Sequence, residues 1–178
     1  AYSRDEFMLA KEFIDNPLER ARRMVVRACM GFGSASGLNG NSGFQSDSKR
    51  EYSIYSHLWA KYPVNLSAVC QRLQGVIIEN KPALDLIKKH DATDTLFYLD
   101  PPYMPETRVS GNRYYNFEMT NGQHHELLQI IKSVSGKVII SGYHSNLYDD
   151  ELSGWRKVTK EARISAGRGT KIRTECLW

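Results

Sequence analysis

Apolar residues recur along this chain in two different periods. At the N-terminus the spacing is helical: Phe7, Leu9, Ala10 and Phe13 follow Ser3, which makes a capping-box pattern with Glu6, and Asn16-Pro17 interrupts the run. Pro17 opens a second helix to about Cys29, with Leu18, Ala21, Met24, Val25 and Ala28 on one face. Arg20, Arg22, Arg23 and Arg27 occupy its remaining surface, the pattern of a solvated face or of a contact to phosphate. Two further helices are predicted, from Tyr52 to Ala60 and from Pro63 to Leu73, the second ending near Gly75.

Beyond Gly75, short apolar runs alternate with helical stretches. Gly75 to Asn80 reads as a strand ending in an acid and an amide, followed by a helix from Pro82 to His90. Thr95-Leu96-Phe97-Tyr98-Leu99 reads as a buried strand that stops abruptly at Asp100-Pro101-Pro102-Tyr103, which makes a β-α-β unit with parallel strands. Thr120 or Asn121 caps a helix containing His124, Leu127, Leu128, Ile130 and Ile131, and Lys137 to Ser141 is another buried parallel strand. A short helix around Leu147, Tyr148 and Leu152 precedes two final strands, Trp155 to Thr159 and Ile172 to Trp178, joined by a Gly/Ser loop from Arg163 to Lys171. His124 has no carboxylate or second histidine at ligand spacing except its neighbour His125, so a structural or surface role is expected.

Composition narrows the partners. Twenty-four Lys and Arg against 20 Asp and Glu give a net charge of +4, which permits nucleic acid without demanding it. No apolar run approaches the length of a transmembrane helix, and Ala1 to Glu6 carries no signal-peptide pattern. Cys29, Cys70 and Cys176 are odd in number and lack metal spacing, which points to reduced thiols in a cytoplasm. Between the two periodic regions, Met30 to Ser48 is rich in Gly, Ser and Asn. Its glycines are not a nucleotide loop, because such a loop follows a buried strand and this one follows an arginine-rich helix. Asn39, Asn41, Gln45, Lys49 and Arg50 have the donors and cations to read base edges and hold phosphates, and a plain surface loop has the same composition.

The chemistry concentrates at Asp100-Pro101-Pro102-Tyr103. A carboxylate just past the carboxyl end of a parallel strand faces a ligand crevice. Two prolines make a stiff turn that cannot extend the ladder. Such a turn suits a substrate that is all donor, such as an exocyclic aromatic amine, and Tyr103 offers its ring a flat face. The plainer alternative is an Asp-Pro turn closing a strand, with Tyr103 packed as an ordinary aromatic.

This tetrapeptide, with Tyr115-Asn116-Phe117, His124, Lys137 to Tyr143, Gly154-Trp155 and Arg173 to Trp178, resembles the DPPY-type adenine-N6 DNA methyltransferases in which a recognition segment precedes the motif. The resemblance is strong from Leu73 to Trp178 and looser before. It implies an α/β fold: a partial Rossmann-like methyltransferase sheet with helices on both faces (residues 73–178), plus a small, mostly helical recognition segment (residues 1–72). It implies methyl transfer from S-adenosylmethionine to the N6 amine of an adenine flipped out of double-stranded DNA, without metal or covalent enzyme intermediate. Asp100, Pro101, Pro102 and Tyr103 are the catalytic candidates, with the Asp100 side chain and Pro101 carbonyl on the amine and Tyr103 on the ring. Glu79, Asn80 and Asp100 are the cofactor candidates. Arg50, Arg108, Arg113, Tyr115, Arg168 and Lys171 are the DNA-binding candidates. The family's acid just before the motif histidine is replaced by Gln123.

Three other readings stay open: a methyltransferase for RNA or a protein amide, a catalytically silent nucleic-acid-binding remnant, and a nucleotide-binding regulatory domain, which lacks its phosphate loop. The family's glycine motif for the cofactor is not found between Ala1 and Met30, as expected of the C-terminal part of a longer enzyme. S-adenosylmethionine titrated calorimetrically into this chain is therefore expected to bind weakly; micromolar affinity would show that the glycine strand is dispensable.

Overall fold

The computed structural model describes residues 1–32, 42–46, 55–108, 117–166 and 169–178, with backbone alone at 164–166 and 169–171. The chain forms two compact units, Ala1–Ile78 and Glu79–Trp178.

The first unit is helical. Ser3 Oγ accepts from the Glu6 backbone N–H and starts α1 (Arg4–Leu9); Asn16 Oδ1 accepts from the Glu19 N–H and, with Pro17 in the first turn, starts α2 (Pro17–Met30). The apolar face predicted for α2 is not the buried one. Leu18 and Met24 are exposed, whereas Val26 and Met30 pack with Phe7 and Ala10, flanked by Tyr2, Phe44 and Trp59. The cause is Arg23, which occupies the buried face with them: its Nη1 donates to the carbonyls of Leu9 and Glu12 at 2.9 Å, and Arg27 donates to Ala10 O at 2.7 Å. These carbonyls lie at and just past the end of α1, where helical backbone partners run out. An antiparallel bridge between Gly31 and Phe44 brings Phe44 back to this core.

The two helices expected between Tyr52 and Leu73 are one, α3 (Tyr55–Arg72), with Pro63 inside it. No residue of α3 is buried, so one missing N–H is tolerated in a solvated helix at some cost to its stability. Gly75, at φ 78°, ends the segment in the left-handed conformation that glycine adopts without strain. The strand expected from Gly75 to Asn80 does not form: Ile77 and Ile78 are exposed, and among the described residues no strand pairs with them. Apolar β-branched residues set a preference for extended backbone, but a strand needs a partner for its N–H and C=O groups.

The second unit is a mixed sheet in the order β1-β2-β4-β3. Helix α4 (Ala83–Lys89) precedes β1 (Leu96–Leu99), and α5 (Asn121–Ser133) crosses over to β2 (Lys137–Tyr143), which runs parallel to β1 with Leu99 opposite Ile140. After α6 (Asn146–Glu151), strands β3 (Val158–Ala166) and β4 (Gly169–Leu177) form a hairpin whose second strand pairs antiparallel with Ser141–Tyr143. Most of the loop expected from Arg163 to Lys171 is therefore ladder, because cross-strand pairing continues to Ala166 and Gly169.

Leu127, Leu128 and Ile131 of α5 gather with Ile87, Met104, Ile140, Tyr148, Leu152, Cys176 and Trp178 into one core, against which Phe97 and Leu99 pack. Leu96 and Tyr98, on the opposite face of β1, are 62% and 63% exposed, so β1 is a half-buried edge and not the buried strand expected, and this face of it is not covered by helix among the described residues. The capping box of α5 pairs Thr120 with Gln123: each side chain accepts from the other's backbone N–H, so Gln123 serves as the N3 partner that an acid often supplies.

The entry to β2 is fixed by Asp91, whose carboxylate accepts from the N–H groups of Ser135 and Gly136 at 2.9 Å. A Cβ on Gly136 would lie 2.9 Å from Thr95 O, which requires glycine there. These backbone donors hold the Asp91 pKa below the ordinary value, so its stabilisation is present at neutral pH and lost as pH falls through the lowered folded-state value. Asp91→Asn is expected to lower the thermal midpoint at pH 7, and its difference from wild type should fade as pH drops below about 4. Thermal scans across that range test both statements.

Candidate active site

Parallel pairing of β1 and β2 puts their carboxyl ends side by side, and the antiparallel β4 adds a third edge. Asp100 follows β1 and is exposed; one of its oxygens is 2.8 Å from Ser141 Oγ, a donor that is also 3.1 Å from the Leu99 carbonyl. Among the described residues the Asp100 carboxylate has no other hydrogen-bond donor. Pro101 and Pro102 are half-buried, and the Pro101 carbonyl accepts no backbone hydrogen bond among the described residues.

Tyr103 is held at three points. Its hydroxyl donates to Glu175 Oε2 at 3.0 Å. Its ring lies 4.6 Å from that of Tyr143, centroid to centroid, at 74°. Its carbonyl accepts from Arg108 Nε at 2.6 Å and also from Nη2. Burial, and after it the Glu175 carboxylate, pushes the phenol well above its usual pKa, so it remains a donor throughout the neutral range. The Arg173 guanidinium stands 6.0 Å from the Tyr143 ring centre. Next to these groups is a cleft of about 550 Å³ lined by Glu106, Thr107, Tyr143, His144, Arg173 and Thr174, among others.

A family model of D12 class N6 adenine-specific DNA methyltransferases matches residues 3–166, from the cap of α1 to the end of β3. The chain belongs to this family. No curated protein matches the sequence. The family methylates adenine in DNA with S-adenosylmethionine as methyl donor, and the match includes the helical first unit, which the motifs alone covered only loosely.

The structure brings the methyltransferase's predicted site residues together unevenly. Asp100 and Tyr103 share one turn and Ser141 lies close to both. Glu79 stands apart, paired with Lys81 at 2.9 Å and Lys89 at 3.5 Å, and Asn80 is exposed. The Lys81 hydrogen bond holds the Glu79 carboxyl below its usual pKa. Asp100 is an exposed carboxylate at the end of a parallel strand with no ion pair among the described residues, whereas Glu79 is already paired with lysines. Arg50, Arg113, Tyr115 and Arg168 lie outside the described residues, and Lys171 is placed only by its backbone, opposite Ile164.

Arg108 is not the exposed cation expected of a DNA contact. Its side chain is 8% exposed, and it donates to Glu118 at 2.9 and 2.7 Å while holding the Tyr103 carbonyl. His124 is structural, as expected: it is fully buried, with Nδ1 2.9 Å from the Tyr148 hydroxyl, and burial lowers its pKa. Among the described residues no group of three His, Cys, Asp or Glu is arranged as a metal would require, and no helix is long and apolar enough to cross a membrane.

Sequence reasoning passed over Glu175 and the link from Ser141 to Asp100. Ser141 had a signal in its place at a strand's carboxyl end; Glu175 lay within the Arg173 to Trp178 motif, but only the antiparallel register brings it opposite Tyr143. Because Arg108 is buried and donates to both Glu118 and the Tyr103 carbonyl, Arg108→Ala is expected to destabilise the fold by about 3 kcal/mol through the loss of these charge-assisted hydrogen bonds. Urea unfolding tests this; an unchanged midpoint would return Arg108 to the surface cations.

Proposed function

We propose that Asp100-Pro101-Pro102-Tyr103 is the catalytic turn of this methyltransferase, acting on an adenine flipped out of double-stranded DNA. The observation that carries the reading is the Asp100 carboxylate, exposed at the end of a parallel strand, held at one oxygen by Ser141 and adjoining the anchored Tyr103. An amine conjugated to a purine is a poor nucleophile. Acceptors on both of its hydrogens, the Asp100 carboxylate and the Pro101 carbonyl, raise the electron density on nitrogen and orient its lone pair. Tyr103 supplies the stacking face, and unstacking the base from the duplex is offset there. When bound, S-adenosylmethionine supplies a sulfonium-activated methyl group as the electrophile. Asp100 would hold it, whereas Glu79 is engaged by Lys81 and Lys89. Positioning and electrostatics carry the rate.

In this reading residues 73–178 are the catalytic core and residues 1–72 the target-recognition region. Arg50, Arg113, Tyr115, Arg168 and Lys171 remain DNA-contact candidates on charge and stacking chemistry alone. Three cysteines without a disulfide fit a reducing, cytoplasmic setting.

Asp100→Ala is expected to cut methyl transfer to DNA by about a hundredfold or more, the scale seen when one preorganised polar contact to a reacting group is removed. The assay follows labelled methyl from S-adenosylmethionine into DNA, with N6-methyladenine identified by mass spectrometry of the digested nucleosides. An undiminished rate in the variant would sink the assignment.

A further inference from the structure

We infer that Glu175 is a positioning residue for the target base: it holds the hydroxyl end of the Tyr103 side chain, and with it the place of the ring. The inference rests on the proposal that the base stacks on Tyr103. A tyrosine side chain swings about its Cα–Cβ bond unless its far end is held, and a swinging ring carries its face away from whatever stacks on it. One step of the β2–β4 ladder, Tyr143 opposite Glu175, supplies two restraints from adjacent strands: the ring of Tyr143 at 4.6 Å and the carboxylate of Glu175 at 3.0 Å from the hydroxyl. Arg108 holds the same residue at its carbonyl. Asp100 is anchored by Ser141.

The setting of Glu175 argues against a merely stabilising role. It is half-buried, it makes no ion pair among the described residues, and its side chain's hydrogen-bond partner there is the Tyr103 phenol. A partly desolvated carboxylate facing a neutral donor contributes little to folding. The shape it imposes suits a flat heteroaromatic ring.

The full 178-residue chain, labelled with ¹³C at the tyrosine ε carbons, gives the first readout, with the Tyr103 signals assigned through Tyr103→Phe. Glu175→Ala is expected to move the Tyr103 ε signals and Glu175→Gln to leave them nearly in place; signals unmoved by Glu175→Ala would overturn the inference. The second readout is methylation kinetics on genomic DNA lacking methylated adenine. Glu175→Ala is expected to lower kcat/KM for DNA about tenfold, within the range expected for a misplaced reactant. The KM for S-adenosylmethionine should not change. Glu175→Gln, whose amide oxygen still accepts from the phenol, should retain most of the activity, and adding Glu175→Ala to Tyr103→Phe should cost nothing more. A full additional loss in the Tyr103→Phe background would overturn the inference. If the wild-type chain methylates no adenine, the proposed function fails, and the ring spectra alone still uphold or refute the Glu175 contact.

Discussion

Strand β2 is shared between neighbours of opposite direction, and that division places the groups at the candidate site. Its first part pairs parallel with β1 up to Leu99–Ile140, and Ser141 to Tyr143 then pair with Glu175 to Leu177. Parallel pairing puts the ends of β1 and β2 at the same edge, so Asp100 and Ser141 meet although 41 residues separate them. Antiparallel pairing brings Glu175 back from near the end of the chain to Tyr103. A one-residue slip would turn Ser141 and Tyr143 to the other face and dissolve both contacts.

The turn is supported from beneath by apolar packing and left polar above. Ile140, Leu128 and Ile131 are almost fully buried under the sheet, and Trp178 closes the strand end with mutual backbone hydrogen bonds of 3.0 Å to Ile140. A rigid base allows the Asp100 carboxylate to stay exposed without wandering. Catalysis by positioning needs this combination, because acceptors that must reorganise during reaction lose their advantage over water.

Arginine was the residue type least legible in the sequence. Arg22 pairs with Glu19 at 2.7 Å, Arg23 and Arg27 cap carbonyls at the end of α1, and Arg108 ties a turn to Glu118. A long side chain with five donors reaches such acceptors from almost any helical position. A run of arginines therefore says little about which of them face solvent, and the apolar face of α2 was misassigned for the same reason.

The sequence by itself determined what local physics sets: the caps at Ser3 and at Thr120 or Asn121, the starts and ends of α2 and α4, the parallel strands on either side of α5, the stop at Asp100 and the motif that marks the family. Each is written in neighbouring residues through side-chain reach, fixed proline φ or hydrophobic period. Tertiary structure decided what depends on a partner. Gly75 to Asn80 has strand-forming residues but pairs with no strand among those described, so it is not one. The Arg163 to Lys171 stretch is mostly ladder because its two halves pair with each other. Glu175 becomes part of the site only through its register with Tyr143. Hydrogen-bond ladders satisfy backbone groups between distant segments, and a sequence read locally does not contain the identity of the distant segment.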